Sequence, residues 1–263
     1  MNQTSLNGRP VADGDLRALA LVNYGHFTSM QVRDQSVQGL SLHLQRLQRA
    51  TAELFDTALD LAQVRAWLQA PVALEADCSL RVTVFSRAFD HRRPGEMVAT
   101  DVLVTTAPGA SPSPHPVRVK AYLFARPLPH LKHVGTFPLF HHRRLALQVG
   151  FDDALFVDAG GLIAEGSVWN LGFWDGHRVV WPQALALRGV AERLLQEGLA
   201  AAGMAQEIRP LRLHELTSFT AAFACNATGL WEISGIDAID FPDGDELMPI
   251  LRGVLENQPW ERI

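Results

Sequence analysis

Two lysines, Lys120 and Lys132, stand beside 21 arginines in this chain. Where a fixed positive charge suffices, the sequence uses arginine, so a retained lysine raises the question of what only an amine can do. A lysine amine can lose its proton and attack a carbonyl to form a Schiff base, whereas a guanidinium stays charged and non-nucleophilic. Lys132 lies in Leu131-Lys132-His133, and an acid follows at Glu165, heading the run EGSVWN (165–170). Taken singly, each residue has an ordinary reading as a surface lysine or a solvated acid. Arg46 alone reads as a solvated helix face, and Gly189 as a turn glycine. The sequence contains no G-x-S-x-G, no G-x-x-x-x-G-K-[ST] and no G-x-G-x-x-G after a strand. His141 and His142 are adjacent, so a helix points them to different sides. Zinc needs three or four convergent ligands, so no metal site is expected.

The elements that must position these groups follow from periodicity. Gly39–Asp56 carries Leu40, Leu44, Leu47, Ala50 and Leu54 at helical spacing, and Asp60–Gln69 predicts a second helix. Leu80, Val82 and Val84 alternate with Arg81 and Thr83 as a strand does, and Val102–Thr105 is similar. Ala107–Pro116 holds four prolines and predicts a loop. Val117–Leu123 alternates again, with Lys120 solvated on the face opposite the valines. A helix is predicted over Leu139–Val149, closed by Gly150. Short strands follow near Ala154–Val157, Leu162–Ala164, Asn170–Trp174 and Val179–Trp181. The last long helix is Gly189–Ala202, ended by Gly203. The pattern is α+β without regular βαβ alternation. Arg126–Pro129 (RPLP) is the expected junction between a domain over 1–125 and one over 130–263.

Composition narrows the partners. At 263 residues, 48% hydrophobic and 19% charged, with net charge −5, the chain has an ordinary globular profile. It carries no basic run, so nucleic acid and anionic membrane are not expected partners. No apolar run approaches the roughly 20 residues of a membrane helix. Met1 to Arg17 lacks a basic head followed by an apolar stretch, so no secretory leader is expected. Cys78 and Cys225 form neither a disulfide framework nor a metal spacing, and a cytoplasmic location is the expectation.

The ordered motifs carry a resemblance. Lys132, then GFDDALFVDAGGLIA (150–164), then Glu165 at the head of EGSVWN are similar to the fold-type IV pyridoxal-phosphate enzymes. That group comprises the class IV aminotransferases, including branched-chain and D-amino-acid enzymes, and aminodeoxychorismate lyase. His43, Arg46 and Leu47 match its H-x-x-R-L; Leu187, Gly189 and Val190 match its L-x-G-[IV]. Cys225-Asn226-Ala227 falls where the family closes its phosphate cup, and Tyr24–Ser29 resembles an early Y-G-x-G-x-F-x-[TS] block. The resemblance implies pyridoxal 5′-phosphate as cofactor, held in a Schiff base by Lys132. It places Glu165 at the pyridine nitrogen. Arg46, the amides of Gly189, Val190 and Ala191, and Asn226 with Ala227 would lie about the phosphate. Thr28 is implied as a substrate contact. The implied architecture has a smaller N-terminal α/β domain and a larger C-terminal mixed-sheet domain, in a homodimer.

Departures bear on substrate. Gly135, Thr136 and Phe137 follow where the family has K-x-x-N-Y, Ala191 replaces the usual hydroxyl residue, and His26 stands where relatives are often acidic. The first expectation is an aminotransferase moving an amino group between an amino acid and a 2-oxo acid. The second is a lyase releasing pyruvate from an amino-chorismate to give 4-aminobenzoate. Phe27-Thr28-Ser29, Leu131-Lys132-His133 and Cys225-Asn226-Ala227 lean towards that lyase. A third is a non-catalytic homologue that keeps the fold for binding or dimerisation.

Overall fold

A computed structural model describes residues 3–74, 77–242, 244 and 246–263. It is an α+β protein whose chain divides into two compact units. The first unit holds the chain as far as Ala110, with Leu131–Gly135 and Pro259–Ile263 added to it. Its elements in order are β1 (Thr4–Leu6), β2 (Arg9–Pro10), α1 (Arg17–Leu21), β3 (Gly25–Val32), β4 (Ser36–Gln38), α2 (Leu40–Phe55), α3 (Leu61–Leu74), β5 (Cys78–Phe85) and β6 (Asp101–Pro108).

The main sheet of this unit is antiparallel, in the order β2-β1-β6-β5-β3. Alternation in β5 turns Leu80, Val82 and Val84 to one side, where they meet Leu40, Leu44 and Leu47 of α2 and Val64 and Leu68 of α3. Each such fully buried aliphatic side chain contributes about 1.5–3 kcal/mol. Apolar packing of this kind carries α3 five residues past the expected end at Gln69. Pro71 is buried inside the helix, although its ring removes one helical hydrogen bond. β6 likewise enters the expected loop, with Pro108 opposite Cys78 at the strand's last rung.

The second unit comprises Ser111–His130 and Thr136–Gln258. It contains β7 (Val117–Leu123), α4 (Phe137–Gln148), β8 (Asp153–Val157), β9 (Ile163–Gly166), β10 (Asn170–Trp174), β11 (Val179–Pro182), α5 (Val190–Ala201), β12 (Gln206–Arg209), β13 (Ala221–Asn226), β14 (Gly229–Ile236), β15 (Ile239–Asp240) and α6 (Leu247–Glu256). Its sheet runs β12-β11-β10-β13-β14-β7-β8-β9, with β15 beside β14. The β11–β12, β14–β7 and β7–β8 pairs are parallel, so the sheet is mixed. One cluster unites Trp181, Phe223 and Cys225 with Leu195 and Leu199 of α5 and Leu251 of α6. A second cluster holds Trp169, Leu171, Phe173 and Trp231. The tryptophans near the motif segments are therefore largely core. Gly150 (φ +84°) and Gly203 (φ +72°) stop α4 and α5 in the left-handed region.

The division differs from a cut at Arg126–Pro129. β7 pairs with β8 and β14, so it belongs to the second unit, while Leu131–Gly135 belongs to the first. α6 lies beyond α5, which was expected to be the last long helix. Lys120 is not simply solvated: its Nζ donates to Asp237 Oδ1 at 2.8 Å. The final strand, β16 (Trp260–Arg262), pairs antiparallel with β4 in the first unit. There Ile263 N donates to Gln35 O at 3.1 Å, and the Glu261 carboxylate accepts from Ser41 N at 3.2 Å in the first turn of α2.

Candidate active site

In the first unit, Lys132 is positioned by backbone pairing. β3 is the edge of its sheet, and an edge strand offers unpaired N–H and C=O groups. Phe27 N donates to Lys132 O at 2.8 Å, and Val134 N donates to Gly25 O at 2.9 Å. The lysine segment thus covers the edge as a short extra strand, bridged at His26 and His133. Its Nζ lies 5.0 Å from the centre of the Phe27 ring. Arg81, exposed on β5, stacks on the same ring with its guanidinium carbon 3.6 Å from the centre. In the sequence Arg81 is only a polar step in a strand. Its register near Phe27 depends on strand pairing that a single sequence does not display.

The other face of β3 lies beneath α2 and is apolar at Met30 and Val32 but polar at His26 and Thr28. Thr28 Oγ1 is 2.6 Å from His43 Nδ1 and accepts from Arg46 Nη1 at 3.5 Å. Burial depresses the His43 pKa, and the Arg46 and Lys132 charges add to the effect. Arg46 is half-buried, and desolvation lowers its guanidinium to about 10. Thr28, expected at the substrate, is fully buried with its hydroxyl tied to His43 and Arg46. One step along, His26 Nε2 lies 3.0 Å from Thr51 Oγ1, and its buried Nδ1 has no partner among the described residues. Burial pushes His26 down to about 4.

The second unit gathers the remaining motif segments. Glu165 ends the apolar run of β9 and is 3% exposed. Arg126 donates from Nε to Oε1 and from Nη2 to Oε2, both at 3.1 Å, and is itself buried. This bidentate partner comes from the stretch expected to be a linker. A Cβ on Gly166 would run into the Trp169 ring, so glycine lets the backbone after Glu165 lie against that indole. Trp169 Nε1 donates to Asp153 Oδ2 at 3.0 Å and fixes the ring. Asn170 closes the segment and donates from Nδ2 to Leu187 O at 2.7 Å. A Cβ on Gly189 would meet Asn170 Oδ1, so the start of α5 approaches β10 closely.

Cys225 pairs with Asn170 across β13 and β10, which brings the Cys225–Ala227 turn to the same segment. Asn226 donates to Val168 O at 3.4 Å and accepts from Thr228 N at 2.8 Å. The motifs leave out one acid at this place. Glu192, 2% exposed, accepts from Gly189 N at 3.3 Å and from Arg188 Nη1 at 2.9 Å. Burial raises its pKa, Arg188 opposes the rise, and Glu165 adds to it. Its signal is in the sequence, as an acid three residues after the residue preceding a helix.

A family model described as amino-transferase class IV matches residues 25–236. The chain belongs to the class IV aminotransferases. Pyridoxal 5′-phosphate is the cofactor of that family, and the fold is the fold-type IV architecture. The Escherichia coli branched-chain amino acid aminotransferase superposes with a TM-score of 0.83 at 17% identity, over 97% of this chain and 92% of that one. The Pseudomonas aeruginosa 4-amino-4-deoxychorismate lyase superposes at 0.78 with 24% identity, over 96% and 97%. A hypothetical aminotransferase from Mycobacterium tuberculosis, in its PLP-bound form, gives 0.80 at 20% identity, over 96% and 97%. No curated protein matches the sequence. Among the described residues, no helix is long and apolar enough to cross a membrane.

The chemistry of the motif residues is compatible with that cofactor. The start of α5 presents amide donors, and a helix N-terminus favours an anion. The Ser167 hydroxyl, two residues from Glu165, is fully buried and has no hydrogen-bond partner among the described residues. In the first unit a lysine amine and a desolvated guanidinium have chemistry suited to an aldehyde and a phosphate; in the second, a guanidinium-paired carboxylate suits a ring nitrogen.

Proposed function

We propose that this chain is a pyridoxal-phosphate-dependent aminotransferase that moves an amino group between an amino acid and a 2-oxo acid. The observation that carries the reading is the Lys132 segment, held on the β3 edge by main-chain hydrogen bonds beside Phe27 and Arg81. When bound, the cofactor supplies an electron sink for the carbon that loses a proton. Lys132 would hold the cofactor through its aldehyde and would move a proton to and from the substrate carbon. Glu165 would hold the pyridine nitrogen. Arg46, with the Val190 and Ala191 amides, would take the phosphate, Asn226 with Ala227 would close it, and Gly189, whose own amide donates to Glu192, would leave room at the start of the helix. Arg81 offers a fork to the substrate carboxylate, and its stack on Phe27 limits the freedom it loses on binding. His43 and Thr28 position Arg46. A homodimer is part of this reading.

A lyase acting on an amino-chorismate is the second reading, favoured by Phe27-Thr28-Ser29, Leu131-Lys132-His133 and Cys225-Asn226-Ala227. Purified protein loaded with pyridoxal phosphate should show a visible absorbance band that borohydride removes, absent from Lys132→Ala. A colourless parent would sink both readings and leave the non-catalytic homologue. Amino donors with 2-oxoglutarate should yield glutamate; 4-aminobenzoate from aminodeoxychorismate without transamination would replace the first reading by the second.

A further inference from the structure

We infer that Arg126 is a positioning residue for the cofactor's ring nitrogen, acting through both carboxylate oxygens of Glu165. The inference rests on the proposed function above and names a group the class IV motifs do not include. Glu165 and Arg126 are 3% and 7% exposed, and the two N–H···O contacts are equal at 3.1 Å. A buried carboxylate without a partner tends to neutralise itself by taking a proton. A guanidinium stays charged, so the fork holds Glu165 as the anion in the apolar interior. A second acid, Glu192, lies within electrostatic reach of Glu165 and has its own guanidinium, Arg188. Each carboxylate has an arginine against it, and loss of Arg126 would take a charged donor from both oxygens of Glu165 while the Glu192 carboxylate stays nearby.

The fork also sets direction. A carboxylate has about four acceptor sites, and Arg126 engages one on each oxygen. Rotation of the Glu165 carboxylate would break both bonds, so the plane of the carboxylate is fixed. A charged, fixed acceptor can hold a proton on a ring nitrogen; a protonated carboxyl group cannot. The role of Arg126 is therefore to keep that nitrogen protonated without touching the cofactor.

The test uses pyridoxal phosphate labelled with 15N in the ring, bound to the full chain. Wild type should show the chemical shift of a protonated pyridine nitrogen. Arg126→Met should bind cofactor but move that signal to the unprotonated position, with kcat reduced roughly 100-fold. Arg126→Lys, which keeps the charge and loses the fork, should recover the protonated signal in part. An unchanged protonated signal in folded Arg126→Met overturns the inference and leaves the proposed function standing. An unprotonated signal in wild type does the same, even should Arg126→Met fail to fold. Wild type that takes up no cofactor removes the proposed function, and the inference with it.

Discussion

Acid should loosen the first unit through His26, in an amount that can be worked out. The ring is fully buried on β3, its Nε2 bonded to Thr51 and its Nδ1 without a partner among the described residues, and burial lowers its pKa to about 4. In the unfolded chain it titrates near about 6.5. Between those values the unfolded state binds a proton that the folded state refuses. Stability contributed by the neutral ring is complete above pH 6.5 and is lost as pH falls towards 4. The full loss is about 3 kcal/mol, of which about 2 kcal/mol falls between pH 7 and pH 5. His43 is depressed in the same direction, but it is common to parent and variant and cancels in the comparison. The variant is His26→Gln, whose amide can still reach Thr51 and does not titrate. Urea unfolding at pH 7 and pH 5 should show the parent losing about 2 kcal/mol more than the variant. At an m-value of about 3 kcal/mol/M that is a midpoint difference of roughly 0.7 M. Equal losses in the two proteins would refute the buried, neutral assignment of His26.

Three further outcomes follow from the geometry. Arg46→Ala should weaken pyridoxal phosphate binding roughly 10- to 100-fold in an absorbance titration, the worth of a charge-assisted contact to phosphate. Gly166→Ala drives a methyl into the Trp169 ring and should cost about 1–3 kcal/mol in thermal or denaturant unfolding. Glu192→Gln removes a negative charge from the start of α5 and should tighten inorganic phosphate binding roughly two- to fivefold in calorimetry.

Legibility in the sequence followed the range of the interaction. α2 and β5 show their periods because one face of each meets apolar neighbours. β3 does not show as a strand: His26 and Thr28 lie buried on its inner face, where alternation would require apolar residues. Their partners Thr51 and His43 are on α2, 25 and 15 residues away, so nothing local announces them. β13 (AAFACN) is rich in small residues, which carry little periodic signal. Arg126 sits in a proline-flanked stretch that reads as a junction, and its bond to Glu165 spans 39 residues. Motif order picks out Lys132 but not the β3 edge that holds it, because strand pairing leaves no mark on one sequence. Glu192 is readable as a helix-start acid, yet the motif directs attention to the glycine before it.

The return of β16 to β4 has a consequence for how this chain is made. Trp260 faces Gln38 across that ladder, so the first unit gains its last strand only after the second unit's residues have been synthesised. Contacts so distant along the chain are slow to form. On the ribosome, the α2 segment bearing His43 and Arg46 would emerge early and wait for Glu261 at its first turn. A pulse-proteolysis series on nascent chains halted before and after residue 263 should show the α2 region becoming resistant only in the longer set.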